Sequence, residues 1–311
     1  MHSPSVAISA SRIVTMDPAR AHADVDPLGV VEDATVIFNT DAIVWVGPRA
    51  DAPVNSDMIA IDCGARTITP GLIDAHTHAA WVGSRHDEYA LRMAGADYRA
   101  IAASGGGITR SAQAIAQASE DTITETLMQR LGRMANLGVT TCEVKSGYGL
   151  VADGERKQLA AIRAASALAS RDPSRDGSPS TVKPGRTPCR PNVPHVVATF
   201  LALHAIPEGW STRRDEYVHY ACNVLLPEVA SRNLASFVDA YVDANAFSVS
   251  EARLLCAAAR NASLNVRLHV GQFADIGGAE LCAEVNAYSA DHLEHVTPEG
   301  ARALAASGVS A

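Results

Sequence analysis

Gly71-Leu-Ile-Asp-Ala-His76-Thr-His78 decides the fold of this chain. Apolar or small positions lead into two imidazoles two residues apart, the spacing at which strand side chains share a face. His76 and His78 therefore point together into one cavity, where neutral imidazoles suit zinc, iron or nickel. The same pair could instead be hydrogen-bonded within an ordinary loop, so its meaning depends on the rest of the chain. Downstream of it, strand-like runs alternate with helical ones. The pair then stands at the C-terminal end of a first barrel strand, where barrel enzymes place their chemistry.

The strand candidates from this point are 71–76, 139–145, 195–203, 236–242, 265–270 and 288–292. Ser119 is placed to cap a helix over 120–137, with Leu127, Leu131 and Met134 on one face and Gly138 at its end. Ser248 and Glu251 form a capping-box pair ahead of Leu254 and Leu255. Thr297-Pro298 opens a short helix that Gly308 terminates. Such alternation predicts a mostly parallel sheet with crossover helices, with strands enough for most of a (β/α)8 barrel. Residues 1–70 read differently, as the N-terminal part of a small β domain. Val6–Thr15 and Ala34–Val46 are rich in β-branched residues, and Asn39-Thr40-Asp41 supplies a hairpin turn.

Two segments break the rhythm. Gly105-Gly106-Gly107 reads either as a flexible active-site loop or as a turn before the next helix. Residues 171–194 hold Arg, Asp, Ser, Gly and Pro with almost no large apolar group, the composition of a disordered or surface insertion.

A chain of 311 residues buries a full core. Its net charge of −8 and lack of basic clusters exclude a nucleic-acid role and argue against an anionic membrane surface. No stretch reaches about 18 apolar residues, and no secretory signal opens the chain. The six cysteines form no close pair, so free thiols in a reducing, cytoplasmic compartment are expected.

Other histidines end later strand candidates: His204 after Val196–Leu203, His269 after Asn265–Leu268, and His292 in Asp291-His292. A barrel gathers strand ends that are distant in sequence, so His76, His78, His204, His269 and His292 can converge. Arg85 beside such a site suits an anionic substrate group, since its fork pairs with carboxylate. A salt bridge to Asp87 or Glu88 is an equal alternative. Tyr148, in Lys145-Ser-Gly-Tyr148, could hydrogen-bond a substrate, as could Tyr98.

These residues resemble the imidazolonepropionase family of the amidohydrolase superfamily along nearly the whole chain. The likeness rests on Gly71–His78, Arg85, Tyr98 through Gly105-Gly106-Gly107-Ile108, Glu143–Gly149, Leu203-His204-Ala205, Leu268-His269, Gly277–Glu280 and Ser289–Glu294. It implies an α/β fold, an amidohydrolase-type (β/α)8 TIM barrel over 71–311 with a small N-terminal β-sandwich domain. It implies one divalent metal, zinc or iron, held by His76, His78 and His269. His292 would assist the nucleophile or the developing oxyanion, and Arg85, Tyr98, Tyr148 and His204 would hold a small substrate bearing a carboxylate. The implied reaction opens 4-imidazolone-5-propanoate to N-formimidoyl-L-glutamate in histidine degradation, and the complete parent proteins are commonly homodimers. Alternatives within the superfamily are another cyclic-amide hydrolase or an aromatic deaminase; outside it stands an inactive barrel kept for binding.

Two departures from the family pattern stand out. Val270-Gly271-Gln272 follows His269 where the family carries an acidic position, and Gln272 can hydrogen-bond water or substrate but cannot act as a base. The family also has a metal-binding aspartate at the end of an eighth strand, whereas the sequence stops at Ala311. The barrel is therefore expected to be incomplete at its C-terminal end, with low solubility and little turnover in the chain as it stands.

Overall fold

The computed structural model describes residues 5–22, 26–96, 101, 105–170 and 193–311. Tyr98 and nearly all of the 171–194 insertion lie outside the described residues. The chain divides into two compact units, Met1–Leu72 and Ile73–Ala311.

The first unit is one mixed sheet. Strand β1 (Val6–Val14) pairs antiparallel with β2 (Val30–Phe38) and parallel with β4 (Ile59–Asp62) and β5 (Thr67–Ile68). Strand β3 (Ile43–Pro48) closes a hairpin onto β2. The turn between them forms where the Asn39 side chain accepts the Asp41 and Ala42 amides, at 2.8 and 2.9 Å, mimicking a backbone turn. Ala10, Ile13, Ala34 and Ile37 are buried within this unit.

The second unit is built on a six-stranded sheet. Its strands are β6 (Leu72–Asp74), β7 (Val139–Lys145), β8 (His195–Leu203), β9 (Phe237–Val242), β10 (Asn265–Val270) and β11 (Ser289–His292), and they lie side by side in chain order. Pairing from β7 through β11 is parallel throughout. Strands such as Phe-Val-Asp-Ala-Tyr-Val at 237–242 read as near-continuous apolar runs because helices cover the outer face and the sheet encloses the inner one.

The sheet curls strongly. Neighbouring strands sit about 4.8 Å apart, so in a flat sheet the ends of β6 and β11 would be separated by roughly 24 Å. Yet the His76 ring, just after β6, lies 2.7 Å from Asp291 in β11. The strand ends thus face one another across a half-barrel.

Helices on the outside lock this curvature. In the helix Glu120–Asn136, Ile123, Leu127 and Leu131 fall on one face and are fully buried, worth about 5–9 kcal/mol of transfer free energy in all. Ser119 caps it by accepting the Thr122 amide at 3.1 Å. Ser248 and Glu251 form a reciprocal capping box on the helix Val249–Asn261, and Thr297 caps Pro298–Ser307. Each cap is worth about 1 kcal/mol. Phe200, Leu203, Val238, Leu268 and Val270 fill the core between sheet and helices.

The Gly105–Gly107 segment resolves as a turn. Gly107 is the N-cap residue of the helix Ile108–Gln117, and its amide donates to Glu88 at 3.1 Å.

Candidate metal centre

The sequence after β6 is stitched to β7 by its middle residue. Thr77 donates its hydroxyl to the Glu143 carbonyl, and the Thr77 carbonyl accepts the Lys145 amide at 2.9 Å. With Thr77 turned into the sheet, extended geometry sends His76 and His78 to the other side, their ring centroids 5.4 Å apart. His269 is the last residue but one of β10, and His292 ends β11. The His76 ring lies 4.5 Å from His269 and 5.2 Å from His292, centroid to centroid.

One ring nitrogen from each of His76, His269 and His292 falls within 4.8 Å of the other two. His78 joins this group through His269, with the two Nε2 atoms 3.3 Å apart. His204, at the end of β8, stacks on His78 at 5.4 Å and its Nδ1 lies 2.8 Å from the Gly147 carbonyl oxygen. Tyr148 packs 5.8 Å from His78 and 5.2 Å from His204. The five histidines expected to converge do so. His292 and Leu293 hold positive φ angles of 79° and 67°, a strained backbone of the kind found where a site over-determines its residues.

Burial sets the charge state of the rings. Desolvation, with added repulsion from neighbouring cations, pushes the pKa of His78 and of His269 far below the ordinary imidazole value. His204 is lowered to about 4, chiefly by burial. These rings are therefore neutral near pH 7, each with one lone pair and one N–H.

The tautomers are constrained as well. His76 Nδ1 lies 2.7 Å from Asp291 in a hydrogen bond that favours N–H there; His269 Nδ1 lies 2.9 Å from Asp239 but outside hydrogen-bond geometry, and Asp239 accepts the His269 backbone amide at 3.2 Å instead. Burial would raise the Asp291 pKa, but the His76 bond and the Lys145 ammonium outweigh it and hold the group far below its usual range. That leaves the Nε2 lone pair of His76, a cavity-lining residue, open to a cation. His78 Nδ1 is buried without a hydrogen-bond partner among the described residues, while its Nε2 faces that of His269. Two facing Nε2 lone pairs 3.3 Å apart repel unless a proton or a cation stands between them, and a cation can take both. The donor set fits a divalent metal.

A cavity of about 740 Å³ opens beside the rings, lined by His76, His78, Trp81, Arg85, Arg130 and Tyr148 among others. Arg85 reaches it while its Nε and Nη2 contact Glu88, each at 2.6 Å. Substrate binding and a salt bridge, the two roles open to Arg85 from sequence, are thus compatible: one edge of the guanidinium is spent on Glu88, and the rest borders the cavity. Gln272, half-buried beyond the end of β10, lies outside the cavity lining.

Sequence alone leaves the carboxylates unassigned. Glu143, Asp239, Asp291 and Lys145 form a cluster directly beneath the imidazoles. A lone acid within Val238-Asp-Ala-Tyr-Val242, or a lysine ending Val139–Lys145, is a signal that could have found them, because a charge in an apolar strand persists only when paired.

No family model matches the chain. The imidazolonepropionase of Caulobacter vibrioides is 41% identical over 301 residues, covering 97% of this chain and 68% of its own. That of Cupriavidus pinatubonensis is 38% identical over 289 residues, covering 93% of this chain and 63% of its own. A 5-methylcytosine deaminase from Klebsiella pneumoniae superposes with a TM-score of 0.64 at 16% identity, over 98% of this chain and 64% of its own, a likeness of fold alone. The chain thus spans about two thirds of the length of the relatives it matches. Among its described residues, no helix is long and apolar enough to cross a membrane.

Proposed function

Because the chain belongs to the imidazolonepropionase family of the amidohydrolase superfamily, we propose that it carries the centre for hydrolytic opening of 4-imidazolone-5-propanoate to N-formimidoyl-L-glutamate. The observation that carries this reading is the meeting of four neutral or carboxylate-bound imidazoles at the ends of β6, β10 and β11, beside a cavity bordered by an arginine.

His76, His78 and His269 would hold one zinc or iron ion. That ion supplies Lewis acidity when bound, lowering the pKa of water toward neutrality and polarising a carbonyl. His292, on its strained backbone, stands over the same point and would exchange a proton with the attacking water or the ring oxygen. The remaining guanidinium face of Arg85 would take the propionate carboxylate, and Glu88 fixes that fork so that binding becomes orientation. Tyr148, which lines the cavity, and His204, stacked on His78, would hold the substrate ring near His78. Tyr98 is proposed to join them on the strength of the motif alone. The free thiols among the described residues agree with a reducing, cytoplasmic setting.

The test is direct. Purified protein is assayed for metal by elemental analysis and for loss of the imidazolone chromophore, with ammonia release measured in parallel. The expected result is about one zinc or iron per chain, absent in His76→Ala, with ring opening and no ammonia. Ammonia release from an aminated ring would favour the deaminase alternative, and a metal-free protein would refute the centre.

A further inference from the structure

Lys145 is fully buried, an unusual place for an ammonium. It sits at the end of β7, and its Nζ lies 2.8 Å from Glu143, 2.8 Å from Asp239 and 3.3 Å from Asp291. Those partners come from β7, β9 and β11, so one cation bridges strands that a flat sheet would hold up to roughly 19 Å apart. The same Asp239 oxygen that meets Lys145 lies 2.9 Å from His269 Nδ1, and the same Asp291 oxygen lies 2.7 Å from His76 Nδ1. Lys145 touches neither ring in these contacts. It touches what the rings lean on.

We infer that Lys145 is a positioning residue for the metal centre: its ammonium pins Asp291, which fixes the orientation and tautomer of His76, and Asp239, which holds His269 through its backbone amide and a close contact to the ring. The inference rests on the metal-centre reading proposed above. Its chemistry follows from geometry. A carboxylate that orients a ligand imidazole must itself be held, because a rotating carboxylate presents no fixed acceptor. Two such carboxylates from different strands share one anchor here, so the two rings are set relative to each other and not merely each to its own strand. The position that Glu143, Asp291 and His76 could offer to a second cation is filled by the lysine's own charge.

A purely structural counter-ion and a positioning residue differ in what their loss moves. Lys145→Met tests the role directly. The double variant Lys145→Met/Glu143→Gln removes one positive and one negative charge together, leaving Asp239 and Asp291 intact, and covers the case in which the single variant fails to fold. Two quantities are read on the full chain: zinc affinity by competition with a chromogenic chelator, and the imidazole ¹⁵N shifts of the metal-free protein, with thermal melting as the control for folding. The expected result is zinc affinity lowered about 10–100-fold in a folded variant, together with loss of the Nδ1–H tautomer as the dominant form at His76. Affinity within threefold of the parent and an unchanged tautomer overturn the inference. Should the unsubstituted chain bind no zinc, the metal-centre reading falls and this inference with it. Zinc binding that His76→Ala abolishes and the lysine variants leave intact overturns the inference alone.

Discussion

Replacing Gly147 by alanine should cost far more than an ordinary glycine-to-alanine change in a loop. Its φ is +103°, a region that side-chain-bearing residues rarely enter, and an added Cβ would lie 2.9 Å from three side-chain atoms of Leu201. Leu201 is only 1% exposed within β8, so it has nowhere to retreat. Backbone strain contributes about 1–3 kcal/mol and overpacking another ~1–3 kcal/mol, giving a loss of about 4 kcal/mol at the centre of the range. For a unit of this size each kcal/mol lowers the melting temperature by about 2–4 °C, so the variant should melt roughly 8–16 °C below the parent. Gly209→Ala is the matched control: its φ is +84°, but nothing lies within 4 Å of the added Cβ. That variant should show only the strain, and the difference between the two melts isolates the Leu201 contact. The Gly147 amide donates to Glu155 and its carbonyl faces His204, so substrate affinity should weaken alongside stability. A Gly147→Ala protein melting no lower than Gly209→Ala would refute the packing argument.

Other substitutions probe other parts of the molecule. Burial raises the Glu251 carboxyl, but Arg214 and Ser248 outweigh it and hold it below its ordinary value. Its contribution is therefore full above about pH 4.3, the unfolded value, and fades as pH falls through the lower folded one. Glu251→Gln should lose about 1 kcal/mol or less at pH 7, and urea melts should show the gap to the parent closing below about pH 4. Burial lifts the Cys142 and Cys256 thiols to about 12 and Cys222 to about 11. A disulfide reagent at pH 8 should accordingly leave these three unmodified until denaturant is added. Arg130 lies 3.6 Å over the Trp81 ring and donates to the carbonyls of Ala79 and Trp81. Arg130→Met should cost about 2–5 kcal/mol in thermal melts by removing both the charged hydrogen bonds and the ring contact.

The elements legible in the sequence were those whose signal is local. The strands at 139–145, 195–203 and 265–270 stand at their expected bounds, because β-branched and apolar runs end there against polar or glycine residues. Ser119, Ser248 with Glu251, and Thr297 cap the helices they were expected to cap, since a cap needs only its own next three or four residues. The converging histidines were legible for a different reason: parallel strand ends must meet once the sheet curls. What escaped was the layer beneath them. Asp239 meeting His269, and Asp291 meeting His76, depend on which strand faces which across the half-barrel. Nothing within either strand encodes that. Arg85 shows the reverse case, where a neighbour three residues away, Glu88, takes part of a fork that chemistry alone would assign to substrate.

The span between His76 and Asp291 has a consequence for biosynthesis. The two residues are 215 positions apart, and His78 and His269 are separated by 191. At roughly 5–20 residues per second, a ribosome needs about 10–40 s to deliver the second member of the longer pair after the first has been made. Throughout that interval the HxH strand waits with its counterpart unmade. A cation that needs donors from both ends of this span would find its full set of ligands only once the scaffold has assembled.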